Sequence, residues 1–126
     1  MQIIMAIAAG GAIGSVLRHF MSANIMRVMG PDFPYGTMTV NIFGSLVMGL
    51  LVGILARYFD GNQILRVFLT VGILGGFTTF SAFSLDTIVL IERGALINAG
   101  AYVLASVIFS IAGLWFGLTL TRVLFS

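Results

Sequence analysis

The sequence predicts an all-α membrane protein of four transmembrane helices, the third of them broken near 75–81. Three observations predict it. The 126 residues are 60% hydrophobic and only 8% charged, where a soluble domain carries about a quarter charged residues. Four long runs are free or nearly free of charge, each close to or above the ~20 residues that a helix needs to cross the hydrocarbon core. One run is interrupted by Gly75-Gly76-Phe77-Thr78-Thr79-Phe80-Ser81-Ala82-Phe83-Ser84, in which four hydroxyls alternate with three phenylalanines.

The first span covers about 2–27 and runs across Arg18. It lacks the basic start and the small-residue cleavage site of a signal peptide, so it stays in the count. Gly30-Pro31-Asp32-Phe33-Pro34 then turns the chain. The second span covers about 37–57 and ends before the Asp60-Gly61-Asn62 turn. The third covers about 65–92, with two glycines that weaken its helix before the hydroxyl-rich stretch, and the fourth about 95–124. Together they make one transmembrane domain over 1–126 with short loops. Gly10 and Gly14, then Ser45, Gly49 and Gly53, then Gly113 and Gly117 recur four apart, a spacing that lets helix backbones approach closely in lipid. A lone bundle so rich in glycine packs too tightly to enclose an aqueous path. A conduit therefore needs two or more chains.

Charge and composition exclude several classes. No cysteine is present, so disulfide and thiolate chemistry are absent. The net charge of +2 comes with no basic stripe, so no nucleic-acid partner is expected. No nucleophile–base pair or metal cluster points to an enzyme. Four spans put both termini on one side with Arg57, Arg66, Arg122 and Asp60, and Arg27 and Arg93 on the other. Orientation normally follows an excess of Lys and Arg on the cytoplasmic side. A score of three against two, with no lysine, is a weak bias. It fits either insertion both ways round or one orientation with a poor signal.

Few polar residues remain inside the spans. Backbone that leaves helical bonding at membrane depth is tolerated only where protein buries it or water and ions reach it, so the break points to a binding or conduction site. Arg18 either snorkels to the interface or faces a cavity. Asn41 either makes an interhelical bond or donates to a ligand. Tyr102, Ser106 and Ser110, spaced four apart, line one stripe of the last helix. His19 and Trp115 read as interface anchors. Asn41, the stripe, and the hydroxyls of Thr79, Ser81 and Ser84 offer donors with no acid among them. Arg18 adds positive potential from one end. A dehydrated anion needs such a set. Phe80 and Phe83 share a helix face, and their positively charged ring edges can also contact an anion, although core packing is the plainer reading of any one phenylalanine.

The residues Gly10–Arg18, Pro34–Asn41, Gly75–Ser84 and the Tyr102/Ser106/Ser110 stripe resemble the Fluc (CrcB-like) fluoride channels over essentially the whole chain. The resemblance implies a passive, highly selective fluoride channel that exports the ion across a bacterial inner membrane to relieve toxicity. It further implies a homodimer of two oppositely oriented chains with two parallel pores. Asn41 would line a pore, Phe80 and Phe83 from different subunits would supply its ring contacts, and Ser81, Thr79 and the stripe would donate along it. A structural sodium ion would sit at the dimer centre on backbone carbonyls, by position those of Gly75 and Thr78. The family usually has threonine where Ala82 stands and glutamate where Asp86 stands. Two other readings compete. A small dual-topology drug/proton exporter is also a four-helix dimer, but is expected to carry an acid in its first helix, where this chain has none. A non-conducting accessory subunit would need neither the break nor the polar stripe.

Overall fold

Each apolar run becomes helical because hydrocarbon offers no water to satisfy backbone N–H and C=O groups. The computed structural model describes residues 1–125. In it α1 spans Gln2–Met29 and α2 spans Tyr35–Tyr58. The third crossing is composite: α3 Gln63–Val67, a π-helical stretch Phe68–Leu74, α4 Gly75–Phe77 and α5 Phe80–Glu92. The last helix, α6, spans Leu96–Leu124. The four crossings contain 28, 24, 30 and 29 residues. At 1.5 Å per residue each exceeds the roughly 30 Å hydrocarbon core.

Loop chemistry closes both ends. Gly30 and Gly94 take φ of 90° and 79°, left-handed conformations that a side chain would strain. They stop α1 and turn the chain between α5 and α6. The Arg93 guanidinium donates to the Asp32 carbonyl at 2.7 Å and ties these two loops together. At the opposite end Arg66 meets Asp60 at 3.0 Å in an exposed ion pair.

The helices pack in two pairs, α1 along the π-helical stretch and α4, and α2 along α6. Glycine sets the approach distance. A Cβ on Gly10 would stand 2.8 Å from the Gly72 Cα, and one on Gly117 would stand 2.6 Å from the Leu46 carbonyl oxygen. Gly113 is looser, with its nearest neighbour at 3.5 Å. The same geometry corrects one expectation. Gly75 and Gly76 do not break the third crossing: Gly75 is α-helical at φ −62°, ψ −37°, and Gly76 lies against α1, where a Cβ would be 2.7 Å from the Gly11 carbonyl oxygen. A helical glycine costs about 1 kcal/mol in propensity, which close packing offsets. The chain leaves the helix later, at Thr78 and Thr79.

Little of one chain is buried. The core holds Val40, Leu55, Leu74, Phe77, Leu90, Ala99 and Tyr102. Phe20, Leu104, Ile111 and Trp115 are each more than half exposed. An apolar exterior of this extent belongs in contact with acyl chains or other protein.

Candidate functional site

Thr78 and Thr79 are extended, with φ, ψ of −84°, 157° and −152°, 122°. Every polar group that the break frees must find a new partner. On the α4 side, the Thr78 N–H and hydroxyl both donate to the Leu74 carbonyl, at 3.0 and 2.9 Å. On the α5 side, the Thr79 hydroxyl accepts from the Ala82 N–H at 3.1 Å, an N-cap. The Thr79 peptide groups are held from another helix. Asn41 of α2 accepts the Thr79 N–H through Oδ1 at 2.7 Å and donates through Nδ2 to the Thr79 carbonyl at 3.0 Å. One carboxamide thus replaces two backbone partners.

Beside this joint lies a groove of about 360 Å³ between α2, the break and α6. Its lining includes Asn41, Thr79, Phe80, Phe83, Ser106 and Ser110, and contains no charged residue. The Ser106 and Ser110 hydroxyl oxygens are buried and have no hydrogen-bond partner. A buried hydroxyl left unmatched costs about 1–3 kcal/mol, so two of them in residues that line one groove call for a ligand or water. Phe80 is 78% exposed at the first turn of α5. Its ring lies 5.5 Å from that of Phe83, which packs 5.2 Å from the Tyr102 ring.

The Tyr102/Ser106/Ser110 stripe divides. Tyr102 is fully buried, and its hydroxyl donates to Asp86 Oδ2 at 3.1 Å, outside the groove lining. The other candidates take local partners. Ser84 donates to the Phe80 carbonyl at 3.0 Å, and the Ser81 and Thr79 hydroxyls lie 3.2 Å apart. Arg18 is apart from the groove, in a second cavity of about 380 Å³ that it shares with Ser15, His19, Ser22, Thr37 and Thr79. Thr79 therefore lines both spaces. Gly75 sits on an exposed face, where the nearest atom to an added Cβ is the Thr70 carbonyl oxygen at 3.6 Å. With the Thr79 N–H given to Asn41, the Gly75 carbonyl loses the donor four residues on. Among the described residues no group of three or more His, Cys, Asp and Glu could hold a metal ion.

The sequence profile of a family described as CrcB-like protein, camphor resistance (CrcB), matches residues 5–118. The chain belongs to the CrcB-like family. Its similarity to individual members is high over nearly the full length. A relative from Agrobacterium fabrum, named fluoride-specific ion channel FluC, is 52% identical over 122 residues, 97% of this chain and 98% of the relative. One from Nitrobacter hamburgensis, named fluoride-specific ion channel FluC 1, is 50% identical over 121 residues, 96% of both chains. A third, from Rhodospirillum centenum and again named fluoride-specific ion channel FluC, is 49% identical over 122 residues. Four spanning helices and this membership make the chain a multi-pass integral membrane protein.

In this CrcB-like chain several lining residues escaped the sequence reading. Ser45 joins Asn41 in the groove, and Thr37 lines the second cavity. The signal was present: Thr37, Asn41 and Ser45 stand four apart on α2, a polar stripe like that of α6. Ser45 also begins the Ser45, Gly49 and Gly53 run of small residues four apart, and that spacing reads as packing. His19, expected as an interface anchor, lines the cavity that holds Arg18.

Proposed function

We propose that the chain is a passive, fluoride-selective ion channel, and that two copies in opposite orientation complete it with two pores. The observation that carries this reading is the pair of buried, unpartnered hydroxyls of Ser106 and Ser110 in a groove without charge. Donors without carboxylates suit an anion that must shed its water. The printed names of relatives about 50% identical supply the identity of that anion. Fluoride would leave the cell down its electrochemical gradient, needing no nucleotide and no coupled ion.

The groove is open in one chain, and a second chain would supply its missing wall. Phe80, largely exposed at the groove, is suited to reach the partner's pore, while Phe83 stays anchored on Tyr102. Ring edges then face the ion beside the serine hydroxyls. Asn41 contributes by holding the Thr79 peptide in place and bordering the path. Thr79 and Ser81 border the same joint. Arg18 lends positive potential from the adjoining cavity.

The carbonyls of Gly75 and Thr78 fit a sodium ion shared by two chains. Both lie at the break, Gly75 is exposed, and its usual donor is engaged by Asn41. Neutral oxygens of this kind suit a hard cation, and such an ion would fix the two breaks against each other. The drug/proton exporter has no comparable support. α1 carries no acid, and the Asp86 carboxylate is engaged by Tyr102.

Liposomes loaded with fluoride or chloride test the reading. The purified protein should release fluoride rapidly and chloride barely. No fluoride release from folded, membrane-inserted protein would overturn it. Phe80→Ile and Phe83→Ile should each suppress release while the protein stays assembled; unchanged release would remove the ring contacts from the mechanism.

A further inference from the structure

One cluster of the core is built around Tyr102. This residue of α6 is fully buried and clusters with Leu90 and Ala99, while Phe33, Met38 and Phe83 pack against the three. Phe33 is the unusual member. It lies in the loop between α1 and α2, and such connecting segments run over the surface of a protein. Yet its ring meets the Tyr102 ring edge-on, with centroids 5.6 Å apart and planes at 89°, an arrangement that aromatic pairs prefer. The Phe83 ring packs on the same tyrosine at 5.2 Å, and the Phe80 ring on Phe83 at 5.5 Å. Rings therefore run in contact from the loop to the groove.

Resting on the channel reading, we infer that Phe33 is a positioning residue for the pore: from outside the groove it fixes, through Tyr102, where the Phe83 ring meets the ion. Neither Phe33 nor Tyr102 lines the groove. Tyr102 hands the constraint on. Its hydroxyl is tied to Asp86 Oδ2 at 3.1 Å, and Asp86 stands one turn along α5 from Phe83. Ring and hydroxyl together bind α6 to the helix that carries both pore phenylalanines. Tyr102 has no exposed surface left in one chain, so it offers nothing for a second chain to touch. Its contacts with Phe33 and Phe83 are complete before any partner arrives.

The loop is itself held in place. The Tyr35 N–H donates to the Phe33 carbonyl at 2.8 Å, and the Tyr35 ring packs on the Phe33 ring at 4.8 Å. Arg93, at the end of α5, donates to the Asp32 carbonyl at 2.7 Å. The residue before Phe33 is thus fastened to the helix that carries Phe80 and Phe83. Side chains that meet a ligand hold their geometry only when packing behind them locks their rotamers. For an anion against a ring edge the tolerance is small. A ring attracts through its quadrupole, and that attraction falls off with distance faster than the pull of a full charge. Without the Phe33 ring Tyr102 is free to tilt, and Phe83 loses its backing.

The test is the unitary fluoride current across a planar bilayer, recorded channel by channel for the wild type, Phe33→Tyr, Phe33→Leu and Phe33→Met. A merely structural residue would change the melting temperature or the number of channels and leave the current through each one as it was. Phe33→Tyr keeps the ring and should match the wild type. Phe33→Leu and Phe33→Met fill much of the space without a ring, and each should lower the unitary current about two- to tenfold, the factor that corresponds to one lost aromatic pair. Recording needs a single channel in the membrane, so a lower yield of folded protein does not hide the result, and either variant alone decides. A wild-type unitary current in Phe33→Leu or Phe33→Met overturns the inference while leaving the channel reading intact. So does a Phe33→Tyr current as low as theirs. Wild-type protein that passes no fluoride overturns both.

Discussion

The Asn41 carboxamide fits its place in one orientation only: oxygen toward the Thr79 N–H, nitrogen toward the Thr79 carbonyl. Asn41→Ala would leave both peptide groups unmatched at membrane depth. The expected cost is about 2–4 kcal/mol, read as a lower melting temperature in detergent and a loss of fluoride flux. Asn41→Asp keeps the acceptor but sets a carboxylate against the Thr79 carbonyl, so it should also lose flux. Ser106 and Ser110 predict the opposite sign for stability. Their hydroxyls are buried without partners, so Ser106→Ala or Ser110→Ala should leave stability unchanged or raise it by up to about 1 kcal/mol, while flux falls. Loss of both together would mean that the hydroxyls serve packing. Asn41 and the serines were legible as candidates, because a polar residue in an apolar run stands out. Their partners were not, because Asn41 and Thr79 are 38 residues apart and nothing in the sequence pairs them.

At the scale of elements, the third crossing separates two jobs that its sequence runs together. Gly72 and Gly76 admit α1; Thr78 and Thr79 make the break and cap both sides of it. Gly10→Ala should force α1 away from the π-helical stretch and cost about 1–3 kcal/mol, as overpacking does. Gly100, with nothing within 4 Å of an added Cβ, is the contrast. Gly100→Ala should stabilise α6 by about 0.5–1 kcal/mol. Equal melting temperatures for the two variants would refute this account of the small-residue spacing. The break falls within the expected 75–81, at Thr78 and Thr79, but it is not the glycines that make it: glycine is a poor helix former in isolation, and that propensity yields to packing when a second backbone lies against it. The π-helical stretch Phe68–Leu74 had no signal in the apolar pattern at all.

For the whole molecule the question is what covers the exposed apolar faces and the open groove. A chain that completes its pore with an inverted copy should be active only as a dimer. Reconstituted at limiting protein, active vesicles should each hold two subunits when counted by single-fluorophore bleaching; active vesicles holding one would remove the dimer from the proposal. Exchange of sodium for a large organic cation should weaken that dimer if the Gly75 and Thr78 carbonyls hold the ion, and leave it unchanged if they do not.

The sequence by itself determined the class: four apolar runs must become helices because hydrocarbon leaves the backbone no other partner. It also marked the segment where that rule is broken, and it named most of the polar residues that lie nearby. Tertiary structure alone decided which glycines pack and which threonines break the helix. It divided the stripe of α6, giving the Tyr102 hydroxyl to Asp86 and leaving the Ser106 and Ser110 hydroxyls buried without partners in the groove wall. It also placed His19 beside Arg18 in a cavity next to that groove. The physical reason is common to all three. Spacing along one helix shows which residues share a face, but a hydroxyl or a charge acts according to what stands opposite it, and only the packing of distant helices supplies that.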